Sequence, residues 1–115
     1  MATLTGHGLD SVTSVVVTHA RFDVGSILHE FEVQRRELVR RNSGTAGAFT
    51  GFTQLDTRPR VLLDIPDGST IVITTTLCKT SDRQSTLELV AHQQDDPTSA
   101  LVRGVGVSIH SPDRP

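Results

Sequence analysis

The sequence predicts an α+β domain in which one long helix packs against a curved antiparallel sheet of about five strands. Three observations carry this. Only one stretch, Ser26 to Asn42, has convincing helical periodicity. Almost everything else runs or alternates over strand lengths. The last three strand-like stretches are joined by turns short enough to require antiparallel neighbours. A lone helix must bury its apolar stripe, and a sheet is the surface available to it.

The chain has 115 residues, the size of one domain, taken here as residues 1–115. Aromatic content is 3%, with no Trp or Tyr, so the core must rest on Val, Ile, Leu and four Phe. The net charge of -2 gives no sequence-wide pull toward nucleic acid or an anionic membrane. The single cysteine, Cys78, excludes an internal disulfide framework and a cysteine-rich zinc site, and suits a reducing cytoplasm. The N-terminus lacks a basic patch followed by an apolar run, so no signal peptide is expected. No segment approaches the roughly 18 apolar residues needed to span a bilayer.

In chain order, Met1 to Ser11 reads as a loose lead-in. Val12 to Phe22 is the first strand, with Val on both sides, as for a strand covered on both faces. In the helix, Ile27, Leu28, Phe31, Gln34, Leu38 and Val39 form the stripe. Ser26 is the expected N-cap, and Asn42 and Gly44 supply the closing signal. Ala48 to Arg60 is a weaker strand in which Gly51 suggests a bulge or a close backbone approach, and Pro59 ends the strand or places it at an edge. Val61 to Leu63 is a short apolar run, followed by a turn over Ile65 to Gly68 with Pro66 at its first central position. Thr70 to Lys79, Ser85 to His92 and Ala100 to His110 are three long strands in a meander. Gly104 and Gly106 share one face of the last, leaving room for a ligand, a partner or the helix.

Chemistry-bearing residues gather where the first strand meets the helix. Asp23, His29, Glu30 and Glu32 lie there. A carboxylate at a helix start can act as base or nucleophile, and free amides there can polarise a carbonyl. The ordinary alternative is capping and dipole complementation. Arg35, Arg36, Arg40 and Arg41 form a basic helix cluster. It either holds phosphates, such as those of coenzyme A, or is a solvated face paired with Glu32 and Glu37. No metal site is expected, since His29 has no second His or Cys at ligand spacing. His19 and His92 read as surface or interface residues, and Cys78 as packing.

Two stretches carry a family resemblance. The segment HARFDVGSILHEFEVQRRELVRR, His19 to Arg41, resembles the strand-to-helix segment of the 4-hydroxybenzoyl-CoA thioesterase-like branch of the hotdog-fold superfamily. Asp67 to Pro115 is similar to the last three strands of that family, including an Arg-Pro close. Of the family's Asp-x-Asp-x-x-Gly-His loop only Asp23 and Gly25 are present, and the His-Gly-Gly of other hotdog thioesterases is missing.

The resemblance implies a helix wrapped by its sheet and an acyl-thioester hydrolase or binding protein acting on acyl-CoA or an acyl-carrier thioester. It implies that Asp23 is the catalytic carboxylate, with His29 and Glu30 beside it. Amides near Ile27 and Leu28 would polarise the carbonyl, and Arg35 or Arg36 would hold a phosphorylated carrier. It also implies a homodimer or homotetramer, with no cofactor, nucleic-acid or membrane partner expected. The competing reading is a non-catalytic homo-oligomeric interaction protein, including a small viral or accessory protein. An open cone of the ketosteroid-isomerase type ranks behind both.

Overall fold

Among the described residues the alternating apolar stretches form five strands, and the periodic stretch forms one long helix. The computed structural model describes residues 8–19, 23–58, 61–62 and 64–110. The elements are β1 (Asp10–Val17), α1 (Val24–Ser43), β2 (Ala48–Thr57), β3 (Thr70–Thr80), β4 (Gln84–Gln93) and β5 (Ala100–Ile109). As expected, β3, β4 and β5 form an antiparallel meander. β1 joins it beside β3 and β2 beside β5, giving the order β1-β3-β4-β5-β2 with every pair antiparallel. The two strands flanking α1 in sequence therefore occupy opposite edges, and the helix crosses one face of the sheet between them. The expected lead-in at 1–7, the residues at 20–22, Pro59, Arg60 and Leu63, and the tail from 111 on lie outside the described residues.

α1 starts earlier than its periodicity suggests. Asp23, not Ser26, is the N-cap: its extended backbone leaves Oδ1 placed to accept the Ser26 N–H at 3.1 Å. Ser26 becomes the third helical residue and donates its hydroxyl to the same oxygen at 3.4 Å. Gly44 closes the helix in the left-handed conformation (φ 87°), its N–H reaching Arg40 O at 2.7 Å. The stripe buries Ile27, Phe31, Leu38 and Val39 against Ile71, Ile73, Leu77, Leu87, Leu89 and Val102 of the sheet.

β1 also begins early, at Asp10, because Leu9 and Asp10 already pair with Leu77. It is not covered on both faces. Val12 and Val16 are half-buried toward α1, whereas Val15 and Val17 are exposed on the outer side. α1 is the one long helix among the described residues, and it covers one face only. The turn before β3 is displaced by one residue: Ser69 N–H donates to Pro66 O, so Asp67 and Gly68 are its central pair.

The bulge suggested at Gly51 is present, with register shifts on both sides of Gly51 and Phe52. It curls β2 so that Phe49 and Phe52 lean over β5. The room left by Gly104 and Gly106 is filled by the protein itself. A Cβ on Gly106 would stand 2.5 Å from Phe49 Cε1, and one on Gly104 3.0 Å from Leu55 Cδ1. Phe31, Phe49 and Phe52 form a triangle with centroids 5.0 to 5.2 Å apart, joining the helix to the edge strand.

Candidate active site at the start of the helix

The helix start is built by its cap. Both hydrogen bonds to Asp23 fall on Oδ1, and the residue is exposed. The earlier start changes which amides are free. In an α-helix beginning at Val24, the N–H groups of Ile27 and Leu28 belong to the hydrogen-bond ladder, and those of Val24 and Gly25 precede it. The amides near Ile27 and Leu28 are thus replaced as candidate donors by those of Val24 and Gly25. The Ile27 side chain is buried in the core, whereas Leu28 is half-buried beside it.

His29 is exposed and Glu30 half-buried. Asp23 caps the helix from outside it with an extended backbone, whereas Glu30 is the seventh helical residue. His29 is turned about 100° from Glu30 around the helix.

The four arginines divide. Arg35 is 2% exposed. Its Nε and Nη2 donate to the two oxygens of Glu32 at 2.8 and 2.7 Å. Its Nη1 donates to Ala46 O and Ser108 Oγ, both at 2.8 Å. Its guanidinium lies 5.9 Å from the Phe49 ring centroid. Four of its five N–H groups are thus spent inside the fold, tying α1 to β5 and to the approach to β2. The hydrogen bonds from Arg35 hold the Glu32 carboxyl below the usual carboxylate range. Arg36 is outward, 64% exposed, and only 3.8 Å from Glu32 Oε2. Arg40 pairs with Glu37, and Arg41 with Asp10. The structure thus leaves Arg36 as the helix cation with the loosest pairing, and Arg35 is internal.

Sequence reasoning gave Gln34 only a place in the apolar stripe. It is buried, donating to Ile73 O at 2.8 Å and accepting from Thr75 Oγ1 at 2.6 Å. Asp10, read as lead-in, anchors Arg41 and Asn42. Neither partner shows in local spacing, because each lies more than thirty residues away. Cys78 is half-buried, and burial and the Glu88 charge push its thiol up, the opposite of activation. Ser85 Oγ shares a hydrogen bond with His110 Nε2 at 3.3 Å, but the serine is buried and closed to a substrate. Among the described residues no group of His, Cys, Asp and Glu is arranged to hold a metal ion. No helix among them is long and apolar enough to cross a membrane.

No protein-family model matches this sequence, and no curated protein is similar to it at the sequence level. Solved structures are similar in shape. The β-alanyl-CoA:ammonia lyase of Clostridium propionicum matches 93% of this chain and 92% of its own, with a TM-score of 0.71 and 13% identity. An acyl-CoA hydrolase of Staphylococcus aureus, solved with butyryl coenzyme A, coenzyme A and coenzyme A disulfide, matches 90% of this chain and 68% of its own. Its TM-score is 0.73 at 7% identity. A probable thioesterase of Bartonella henselae matches 92% of this chain and 99% of its own, with a TM-score of 0.56 and 13% identity. With one helix laid across a five-stranded antiparallel sheet in the order β1-β3-β4-β5-β2, and with these neighbours, the chain has the hotdog fold.

Proposed function

We propose that the protein binds acyl thioesters of coenzyme A or an acyl carrier and hydrolyses them at the start of α1. The observation that carries this reading is the likeness, over nine-tenths of the chain, to an acyl-CoA hydrolase solved with its coenzyme A ligands. The chemistry available at the helix start supports it. Asp23 has both capping bonds on Oδ1, leaving Oδ2 to take a proton from water. Water then adds to the thioester carbonyl, the C–S bond breaks, and the thiolate leaves and takes up a proton. The Val24 and Gly25 amides stabilise the oxyanion. Leu28 and Phe52, both half-buried, line the acyl path. Of the two arginines expected to hold the carrier, Arg36 takes its phosphate, because Arg35 is internal. Glu30 is the second carboxylate, and His29 is an exposed acid or base at the rim.

The active form in this reading is a homodimer. β2 runs back along α1, from Phe49 beside Phe31 and Arg35 toward Leu55. Among the described residues its outer edge is unpaired, and a second copy paired there would cover it. A cytoplasmic setting goes with the single free cysteine.

The competing reading is a non-catalytic oligomeric protein, favoured by the capping role that Asp23 already fills. A panel of acyl-CoAs decides between them by release of free thiol. Turnover lost in Asp23→Asn supports the hydrolase. Absence of turnover and of binding across the panel supports the interaction protein.

A further inference from the structure

The sheet face turned away from α1 holds an electrostatic anomaly. Glu88 lies near its centre, opposite Thr76 on β3 and Val105 on β5. Its side chain is only 9% exposed, although among the described residues no element covers this face. Its Oε1 is buried with no hydrogen-bond partner. The nearest cation, Arg103, stands 3.9 Å from Oε2, too far for a hydrogen bond, with its own side chain 55% exposed. A carboxylate removed from water without a donor is costly. Beside the pair on this face stand Val90, Val105 and Val107 with Thr74, Thr76 and Thr86, and Val72 and Val15 lie further along it.

We propose that this outer face packs against the same face of a second copy, sheet on sheet, with Glu88 of each copy meeting Arg103 of the other. The face is self-complementary. Val90 stands opposite Arg103 and Val105 opposite Glu88, so the two charges are diagonal neighbours on adjacent strands. A two-fold axis lying between the sheets and crossing the line that joins them exchanges the two positions. Each carboxylate then faces a guanidinium, and each exposed arginine spends donors that make no hydrogen bond among the described residues. Stacking without that exchange would set Glu88 on Glu88 and Arg103 on Arg103, which fixes the register. The valines lose water in the same contact. This surface is separate from the free edge of β2, so the contact stands whether or not the thioester reading holds.

The test is the mass in solution across a concentration series, by sedimentation velocity, for wild type, Glu88→Arg, Arg103→Glu and the double exchange. Each single reversal brings like charges together and is expected to weaken association at least about 100-fold. The double exchange restores it to within about tenfold. Val15→Lys, on an exposed position of the same face, weakens association without touching the ion pair and serves if a single reversal fails to fold. A wild type that is monomeric throughout overturns the proposal. So does association unchanged by both reversals and by Val15→Lys. If association survives those changes but is lost when Thr53→Pro disrupts the edge of β2, the edge alone joins the copies and the face proposal fails. If it is lost only on removal of residues 111–115, the tail is the occupant and the proposal is likewise overturned.

Discussion

Arg41 grips Asp10 with two parallel hydrogen bonds, Nε to Oδ2 and Nη2 to Oδ1, both at 2.6 Å. This fork joins the last turn of α1 to the first residue of β1 across more than thirty residues of chain. Asn42 adds a third donor to Oδ2 at 2.8 Å. These bonds, Arg41 first, lower the Asp10 pKa from 3.8 to about 2. The carboxylate is therefore favoured in the folded state, and its contribution is present above the unfolded value. It is lost as pH falls from about 4 through about 2. Chemical denaturation across that window should show stability falling in wild type and falling less steeply in Asp10→Asn. Because the pair sits at the surface, salt should shrink the difference.

The buried pair of Gln34 and Thr75 makes a sharper prediction. Gln34→Leu removes the acceptor of the Thr75 hydroxyl and the donor to Ile73 O inside the core. The loss should be about 1–3 kcal/mol, from groups left buried without partners. Gln34→Leu with Thr75→Val removes one of the two orphaned groups and should recover part of that loss. A urea-unfolding cycle of wild type, both singles and the double reads the coupling directly.

Glycine on β5 is needed where the edge strand's rings lie over it. Gly106→Ala must move the Phe49 ring, which is already held by Phe31, Phe52 and Arg35. The expected cost is about 1–3 kcal/mol by overpacking. Gly104→Ala meets Leu55 and Phe52 at 3.0 and 3.1 Å and should cost less. Equal effects at the two positions would mean that the triangle of rings yields more easily than its packing implies.

The elements that could be read in the sequence were those fixed by local pattern. The three final strands, the helix with its Gly44 stop, and the bulge at Gly51 follow from periodicity and backbone chemistry within a few residues. What was hidden depends on partners far along the chain. Asp10 looked like a loose leader because Arg41 is its reason for order. The glycines of β5 looked like open space because Phe49 and Phe52 come from another edge of the chain. Arg35 and Arg36 are adjacent and chemically alike. Only the approach of Ala46 and Ser108 makes one internal. At the candidate site the residue types were visible, but moving the cap from Ser26 to Asp23 changed which amides stand free.

That difference between adjacent arginines is measurable. Arg35→Met should destabilise the fold by at least about 1 kcal/mol, since it removes bonds to Glu32, Ala46 and Ser108. It should also let the Glu32 carboxyl titrate at higher pH, because the Arg35 bonds are the main cause of its lowering. Carboxyl chemical shifts followed through an acid titration would show this. Arg36→Ala should leave unfolding within about 0.5 kcal/mol of wild type, as for an exposed residue with one loose pair. If Arg36 holds the carrier, that variant raises KM for acyl-CoA about tenfold and leaves kcat little changed.

Asp23 carries two roles that one residue series can separate. As a cap it needs only an acceptor, and Asn caps about as well as Asp. As a general base it needs a carboxylate. Asp23→Asn should therefore keep most of the stability, losing no more than the few tenths of a kcal/mol to about 1 kcal/mol that a negative charge gains at a helix start. Its thiol release should fall at least about 100-fold. Asp23→Ala removes both roles, costing about 1 kcal/mol in unfolding and the same turnover. Paired unfolding curves and thiol-release rates distinguish the cases. If Asp23→Asn loses neither stability nor turnover, the base lies elsewhere and Glu30, half-buried in the same helix, is the next carboxylate to replace. If Asp23→Asn loses turnover while keeping its helix, the cap and the catalyst are one side chain using two different oxygens.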